Sequence, residues 1–262
     1  MIDVIIFSKN RACQLDALIC SIEKHWINYK ECSFHVIYTY DNDNFKKGYD
    51  ILIKDYSLIH WIKESESFKN DIVEIDYQHN YITFLTDDDV FKEDFDTNTL
   101  EFDIFQYDES ILCLSLRLGL HIDNHYIKGA SPAPDGLKSP CIWDWRKGNI
   151  DWGYPMSVSG AHIYKRADLS ASLKELYYDK AWNIECALAA YPINKPKMIC
   201  YETSKVFHNP INRVQVGIIN KCGDVTAESL NAEFLKGKRI DINKLSGYKN
   251  SSVHEIVDVE LI

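Results

Sequence analysis

The sequence predicts an α/β fold in which helices flank a mostly parallel sheet. Between residues 3 and 86, short apolar segments alternate with helical segments, as in successive βαβ units. The first segment, residues 3–7, is almost continuously apolar, which is typical of a parallel strand covered on both faces. Residues 81–86 are rich in β-branched and aromatic side chains and lead directly into Asp87, Asp88 and Asp89.

The elements of the first half follow from apolar spacing. The helix after the first strand carries Leu15, Leu18, Ile22 and Trp26 on one face. The remaining predictions are a strand at 34–40, a helix at 45–56, a strand at 58–62, a helix from 65 to 78 and a strand at 81–86.

The second half is less regular. The predictions are a strand at 111–116, a loop at 117–138, a hairpin of 141–145 with 150–152, helices at 168–177 and 182–190, a strand at 197–201, and a helix at 226–236 ended by Gly237. Such a long loop is usually functional or mobile, so we expect it to act as a lid ordered by a bound ligand.

Composition and charge exclude several classes of protein. A formal net charge of -10 argues against a general nucleic-acid binder, which needs basic surface to displace phosphate counterions. The eight cysteines are scattered without a C-x-x-C pair, as is typical of reduced thiols. Neither a signal peptide nor an apolar run of membrane-spanning length is found. We therefore expect a cytoplasmic protein; peripheral association with the inner face of the membrane is compatible with the sequence.

The run Asp87-Asp88-Asp89 is the clearest candidate for a site. Adjacent carboxylates repel one another, and in an open α/β sheet the residues after a strand lie at the ligand-binding edge. Hard oxygen ligands suit Mg²⁺ or Mn²⁺, which bridge a few carboxylates to substrate phosphates. The alternative is a solvated acidic turn.

Two familiar nucleotide motifs are absent. No G-x-G-x-x-G follows the first strand, and no P-loop is found, which argues against NAD or FAD enzymes and ordinary ATPases. Lys9 and Arg11, after the first strand, are candidates for phosphate contacts. Asp41 or Asp43, after the second strand, is a candidate for the base or ribose. These are also common turn and cap positions.

Several downstream residues are candidates with structural alternatives. Trp143 and Trp145 share a sheet face in the predicted hairpin, and whether Trp152 joins them depends on the register; such aromatic faces stack on sugars or fill a core. The run of small residues at 153–162, which includes Gly160, would let a ligand approach the backbone. His208 follows a short apolar strand, where packing or capping is the commoner role.

Taken together, these features resemble the GT-A glycosyltransferases, particularly the family 2-like bacterial enzymes. The resemblance covers about residues 1–215 and rests on the opening residues 4–11, the aspartate after the second strand, the D-x-D run at 87–89, and Glu185 with His208 downstream. It implies a Rossmann-like, mostly parallel central sheet with a smaller mixed sheet on the acceptor side. The implied organisation is a nucleotide-sugar-binding half at 1–110, an acceptor-binding half at 111–215 and a helical tail at 216–262.

The resemblance also implies an activity and roles for residues. It predicts inverting transfer of a hexose from a UDP-sugar to a hydroxyl of a glycan, a lipid-linked saccharide or a protein, as in bacterial polysaccharide synthesis. The implied cofactor is Mn²⁺ or Mg²⁺. The implied metal ligands are Asp87 and Asp89, with a further contact from His208. Asp89 also has an implied catalytic role. The implied donor site comprises Ser8, Lys9, Arg11, Asp41 or Asp43, Asp87 and Asp88. The implied acceptor site comprises Trp143, Trp145, Trp152 and Gly160.

Glu185 resembles the general base of the inverting members, although a solvated helix carboxylate is an equal alternative. Three other classes of protein remain open. A sugar nucleotidyltransferase usually opens with a glycine-rich basic loop, whereas residues 7–11 contain no glycine. A haloacid dehalogenase-type phosphatase would carry its D-x-D on the first strand. A carbohydrate-binding protein that kept the fold but lost turnover is disfavoured by the intact acidic run.

Overall fold

An eight-stranded sheet runs through the centre of the molecule and takes strands from both halves of the chain. The computed structural model describes residues 1–158, 160–215 and 220–262. The strands are β1 (Ile2–Lys9), β2 (Ser33–Thr39), β3 (His60–Lys63), β4 (Tyr81–Thr86), β5 (Asp89–Phe91), β6 (Ile111–Ser115), β7 (Asn124–His125), β8 (Gly129–Ala130), β9 (Cys141–Asp144), β10 (His162–Lys165), β11 (Lys197–Cys200) and β12 (Val206–His208). The α-helices are α1 (Ala12–His25), α2 (Asp43–Asp55), α3 (Phe68–Val73), α4 (Leu100–Tyr107), α5 (Arg166–Glu175), α6 (Ala181–Ala190) and α7 (Ala227–Leu235).

The order of the strands confirms the predicted parallel sheet. It runs β3-β2-β1-β4-β10-β6-β11-β9, with β1 to β4 mutually parallel and β6 parallel to β11. Within this sheet, only β10 and β9 of the described strands run antiparallel to their neighbours. The carboxyl ends of β1, β2, β3 and β4 therefore meet at one edge of the sheet, where an open α/β fold binds its ligands.

The strand β1 explains why its segment is apolar at almost every position. Val4 and Ile6 point to the core cluster formed with α1, α2 and α7. Ile5 and Phe7 point to the opposite cluster, which includes residues of α3 and α5. Because side chains alternate along a strand, a strand covered by helices on both faces needs apolar residues at successive positions.

Helix boundaries follow local capping signals. Asn42 precedes α2, and its side chain accepts hydrogen bonds from the backbone of Asn44 and Phe45. Thr226 caps α7 in the same way, and Gly237 ends the helical segment with a φ of +93°. The predicted helix from 65 to 78 is wrong beyond the short α3.

The reason lies in the buried carboxylate of Asp3. It accepts hydrogen bonds from the backbone N–H groups of Gln78 (3.1 Å) and His79 (2.9 Å), which lie outside any helix. These two donors are therefore satisfied by a neighbouring strand, and residues 74–80 leave the helix to meet it.

The predicted hairpin of 141–145 with 150–152 is also wrong. Strand β9 forms the edge of the central sheet and pairs with β11, and residues Ile150–Gly153 form a 3₁₀ turn. The turn packs on the strand because the indole N–H of Trp143 donates to the carbonyl of Trp152 at 2.8 Å. In place of one smaller mixed sheet, the described residues form two antiparallel pairs of strands, β5 with β12 and β7 with β8. The first pair places His208 opposite Asp89.

The C-terminal segment packs on the rest of the chain. Helix α7 lies against α1 and α2, where Asn231 donates a hydrogen bond to the carbonyl of Asn44. Arg239 pairs with Asp16 at 3.2 Å, and His254 forms a β-bridge with His208.

The three-part division of the chain stays a prediction, and its boundary residue 216 lies outside the described residues. All eight cysteines are free. No helix in the described ranges is both long and apolar enough to cross a membrane.

Candidate functional site

A cavity of about 540 Å³ opens at the edge where the parallel strands end. Its walls come from the ends of β1 to β4, from α6, from β12 and from residues of the ranges 210–215 and 220–222. Of the predicted site residues, those lining this cavity are Ser8, Lys9, Arg11, Asp87, Asp88, Glu185 and His208. The fold therefore brings together residues that are spread over 200 positions of the sequence.

The three consecutive aspartates have different environments. Asp89 has 0% exposure, and its Oδ2 accepts hydrogen bonds from the backbone N–H groups of Thr86 (2.8 Å) and Gly160 (3.3 Å). Its Oδ1 accepts from Nδ1 of His208 at 3.1 Å. Both carboxylate oxygens of Asp89 are therefore engaged with protein donors behind the cavity wall, and the residue holds the turn and His208 in place.

Asp88 faces the cavity instead. Its Oδ2 accepts from Nη1 of Arg11 at 2.8 Å and lies 3.1 Å from Nε2 of His208. Its Oδ1 is buried and has no hydrogen-bond partner among the described residues. A buried carboxylate oxygen without a partner is costly, so this atom marks a place where a ligand or ion would be stabilised.

Arg11 and His208 neutralise the acidic run. The guanidinium of Arg11 also donates from Nη1 to Asp87 at 2.9 Å, and its Nε donates to Oδ1 of Asn212 at 2.7 Å. Burial lowers the pKa of His208, but Asp88 and Asp89 outweigh burial and raise it to about 10. Two cations beside three carboxylates explain how the fold tolerates the triplet without solvating it.

The contacts with Arg11 and His208 give Asp87 and Asp88 different pKa values. Burial raises the pKa of Asp87 to about 6, with Arg11 opposing that rise. Burial also acts to raise the pKa of Asp88, but His208 and Arg11 together hold it well below its usual value. Both carboxylates are therefore largely ionised at neutral pH, and Asp88 is the one that stays ionised as the pH falls below about 6.

The residues at this position fit a divalent cation. No group of three or more His, Cys, Asp and Glu is arranged as a metal cage in the described parts of the chain. Mg²⁺ and Mn²⁺ need no such cage, because one or two protein ligands complete their shell with waters and substrate phosphates. Oδ2 of Asp88 and Nε2 of His208 are 3.1 Å apart. Adjacent ligands about 2.1 Å from an octahedral ion are separated by about 3.0 Å.

Asp41 and Asp43, the candidates for the base or ribose contact, are not among the residues that line the cavity. Asp41 has a side chain that is 59% exposed, pairs with Lys9 at 3.0 Å and accepts from Asn10 at 2.7 Å. Asp43 is exposed at the start of α2. The cavity is instead lined by Thr39, the last residue of β2, and by Glu64, directly after β3. Ligands bind beyond the ends of strands, so this rule would have identified Thr39 and Glu64 if the ends of β2 and β3 had been predicted at the correct residues.

Glu185 reaches the cavity from α6. Its Oε2 accepts hydrogen bonds from the backbone N–H of Val158 at 2.8 Å and from the hydroxyl of Ser157 at 3.2 Å. Trp182, which lies three residues before Glu185 and four before Cys186, is on the same wall as both. Glu185 is therefore an oriented carboxylate beside the cavity and not a freely solvated one.

The predicted acceptor residues belong to the core. Trp152 has 0% exposure and Trp143 has 6%, and their rings contact each other edge to face. The indole N–H of Trp145 donates to the carbonyl of Lys195 at 2.7 Å. Gly160 has a φ of +91°, and a Cβ there would lie 2.6 Å from Cδ of Arg117. Packing therefore accounts for these four residues; Ser159, in the same run, lies outside the described residues.

Trp182 and His254 are also cavity residues that the sequence analysis missed. Trp182 is an aromatic side chain on the cavity wall and is 37% exposed. His254 comes from the C-terminal segment, and its ring lies between those of Tyr126 and His208, with centroids 4.9 and 4.7 Å away. The helical position of Trp182 next to Glu185 was a usable signal, whereas nothing local in the sequence links His254 to His208.

Comparison with known proteins identifies the fold. No protein-family profile matches the chain. The bifunctional glycosyltransferase pgtA of Dictyostelium discoideum is 28% identical over 130 residues, which are 46% of this chain and 16% of pgtA. The crystal structure of S. aureus TarS matches with a TM-score of 0.51 at 15% identity, over 79% of this chain and 36% of TarS. A structure of TarS 1-349 gives a TM-score of 0.50 at 13% identity, covering 79% of this chain and 60% of that one.

TarS has the GT-A fold of glycosyltransferases, so this chain has a GT-A fold, as the sequence resemblance implied. The central eight-stranded, mostly parallel sheet flanked by helices is the shared architecture. This chain spans less than two thirds of each of these relatives, from 16% of pgtA to 60% of the shorter TarS structure.

Proposed function

We propose that this chain is a metal-assisted glycosyltransferase that moves a hexose from a nucleoside diphosphate sugar, a UDP-sugar, to a hydroxyl group. The observation that carries the proposal is Asp88 in a cavity at the carboxyl edge of the sheet: its Oδ2 lies 3.1 Å from Nε2 of His208, and its buried Oδ1 has no partner among the residues that the structure describes. The GT-A fold supports the same class of reaction. The free thiols support a cytoplasmic location.

Asp88 and His208 are the residues that would hold Mn²⁺ or Mg²⁺, in place of the Asp87 and Asp89 pair expected from the sequence. His208 would bind the ion as a neutral imidazole, so binding would displace the proton from Nε2. The ion supplies Lewis-acid stabilisation of the charge that develops on the departing nucleoside diphosphate. Arg11 and Lys9 line the same end of the cavity and offer positive charge to the diphosphate. Asp89 keeps His208 oriented through the hydrogen bond to Nδ1.

Glu185 is the proposed general base. A carboxylate within hydrogen-bond reach of the acceptor hydroxyl removes its proton as the oxygen attacks the sugar, which makes the oxygen a better nucleophile. The backbone N–H of Val158 and the hydroxyl of Ser157 hold Oε2, so the carboxylate is oriented before the acceptor arrives. Attack on the face opposite the leaving diphosphate inverts the anomeric carbon.

Calorimetric titration of the wild type tests the proposal. UDP is titrated with and without Mn²⁺, and GDP and CMP serve as controls. The expected result is binding of UDP that depends on the metal. Absence of binding by every nucleotide under all metal conditions would contradict the proposed function.

Replacing Glu64 with glutamine is expected to weaken UDP binding about 10-fold, because a charged hydrogen-bond acceptor for the base N–H is lost. Glu64 lines the cavity directly after β3, next to Thr39 at the end of β2. The measurement is the Kd for UDP in the presence of Mn²⁺. Glu66→Gln, an exposed change two residues away, is the control and should bind like the wild type. An unchanged Kd in Glu64→Gln would return the base contact to Asp41.

Replacing Trp182 with alanine is expected to raise the acceptor KM about 10-fold and to leave the donor KM unchanged, because an exposed indole face offers a stacking surface for a sugar ring. The measurement is initial rates with varied acceptor at saturating UDP-sugar. Tyr191→Ala removes another exposed aromatic side chain, at the far end of α6, and should change neither constant. A rise in the donor KM alone would place Trp182 in the donor site.

A further inference from the structure

We propose that Cys141 and Cys200 form a reversible covalent modification site, at which a peroxide oxidises the two thiols to a disulfide that joins β9 to β11. The site is independent of the proposed function, because β9 is the last strand in the order of the central sheet and the cavity lies at the ends of β1 to β4. The pairing of the two strands and the shared environment of the two thiols carry the proposal.

The two cysteines lie directly opposite each other in the sheet. Strand β9 pairs antiparallel with β11, and the register places Cys141, the first residue of β9, opposite Cys200, the last residue of β11. Opposite residues of an antiparallel pair have Cα atoms about 4.5 or 5.5 Å apart. A disulfide needs a Cα separation of about 4.4 to 6.8 Å, so the backbone already satisfies this condition.

Both thiols face the same side of the sheet. Opposite residues share a face, and Cys141 and Cys200 belong to the core cluster that includes residues of α3 and α5. Their exposed fractions are 1% and 0%. A third thiol of this cluster, Cys113 on β6, has Met198 as its register partner on β11. Cys141 is therefore the thiol placed to pair with Cys200.

The two thiols differ in acidity, which sets the order of the reaction. Interaction with the thiol of Cys200 lowers the pKa of Cys141 below its usual value, against the effect of burial. Burial raises the pKa of Cys200 well above its usual value. Because the thiolate is the form that reacts with oxidants, Cys141 reacts first and Cys200 resolves the product.

The oxidation proceeds in two steps with hydrogen peroxide as the oxidant. Sγ of Cys141 attacks one oxygen of the peroxide, the O–O bond breaks, and a sulfenic acid and one water are formed. Sγ of Cys200 then attacks Sγ of Cys141, the S–O bond breaks, and a second water leaves. The two sulfur atoms together lose two electrons, which the peroxide gains, and both thiol protons end in water.

The position of the two cysteines accounts for access and for reversal. They lie at the end of the β9–β11 ladder, and β11 is the neighbour of β9 in the sheet, so this end can open locally. The Cβ atoms of opposite residues are about 4.5 to 5.5 Å apart, whereas a disulfide holds them about 3.8 Å apart. The strands must therefore move closer, and the resulting strain makes the bond easy to reduce by glutathione.

Peptide mapping by mass spectrometry tests the proposal. The reduced full chain is treated with hydrogen peroxide, the remaining thiols are blocked with an alkylating agent, and the protein is digested. A peptide that joins Cys141 to Cys200 is expected in the wild type and is expected to disappear after incubation with reduced glutathione. Cys141→Ser and Cys200→Ser should lose the linked peptide, whereas Cys113→Ala, the control in the same cluster, should keep it.

The wild type alone can overturn the proposal. Oxidation of the exposed thiol of Cys186 without a linked Cys141–Cys200 peptide would do so, because the oxidant would have acted and the two thiols would not have responded. A disulfide from Cys113 to either cysteine in its place would contradict the pairing, and a bond that resisted glutathione would contradict its reversibility. The thermal unfolding midpoint of each reduced variant shows whether it folds.

Discussion

Replacing Asp88 with asparagine is expected to lower kcat/KM for sugar transfer about 1,000-fold, a loss of about 4 kcal/mol of transition-state stabilisation. The carboxylate lines the cavity; Oδ1 has no hydrogen-bond partner within the described ranges, and Oδ2 lies 3.1 Å from Nε2 of His208. Asparagine keeps the shape but removes the charge that holds a divalent ion. The measurement is steady-state transfer across Mn²⁺ concentrations, together with UDP affinity by calorimetry.

Two further variants make the result specific. Asp43→Asn removes an exposed carboxylate at the start of α2 and should behave like the wild type. Asp89→Asn weakens the hydrogen bonds that hold Thr86, Gly160 and His208, so its first effect should be a lower thermal unfolding midpoint. If Asp89→Asn abolished the Mn²⁺ dependence at an unchanged midpoint and Asp88→Asn did not, the ligand assignment from the sequence would be the correct one.

Replacing Glu185 with glutamine is expected to lower kcat about 1,000-fold, within the range of about 100- to 10,000-fold typical of a lost general base. The affinity for UDP should not change, because the side chain acts on the acceptor. Glutamine retains an oxygen that can accept from Val158 and Ser157, so the position of the side chain is preserved. The measurement is kcat at saturating donor and acceptor, with the Kd for UDP determined in parallel.

The control for this prediction is Glu175→Gln, an exposed carboxylate at the end of α5. It should alter neither kcat nor the Kd. A wild-type rate in Glu185→Gln would assign the proton transfer to another group. Metal-dependent UDP binding without transfer or donor hydrolysis in the wild type would favour the carbohydrate-binding alternative.

Residues close together in the sequence were sufficient for the main architecture. The alternation of strands and helices predicts the parallel half of the sheet, because burial on two faces leaves a visible apolar pattern in β1. The capping residues and Gly237 predict where α7 begins and ends. The charged residues that follow β1 and β4 in the sequence predicted the edge of the sheet at which Arg11 and Asp87 meet.

The same local information placed the tryptophans wrongly. Trp143 and Trp152 lie near each other in the sequence, so a hairpin was the natural prediction. The partner of β9 is β11, which lies more than fifty residues further along the chain. Strand pairing is decided by contacts distant in sequence, and a wrong partner changes which side chains are buried.

By itself, the sequence determined that an acidic run, a basic residue and a histidine lie at the carboxyl edge of a parallel sheet. Only the tertiary structure decided which carboxylate faces the cavity. The pairing of β5 with β12 directs the side chain of Asp89 towards Nδ1 of His208 and leaves Asp88 at the cavity wall, near Nε2 of His208. The tertiary structure also placed the ring of His254 beside that of His208. The physical reason is that apolar periodicity and strand-end chemistry act over neighbouring residues, whereas the direction of a side chain in a turn depends on hydrogen bonds from distant segments.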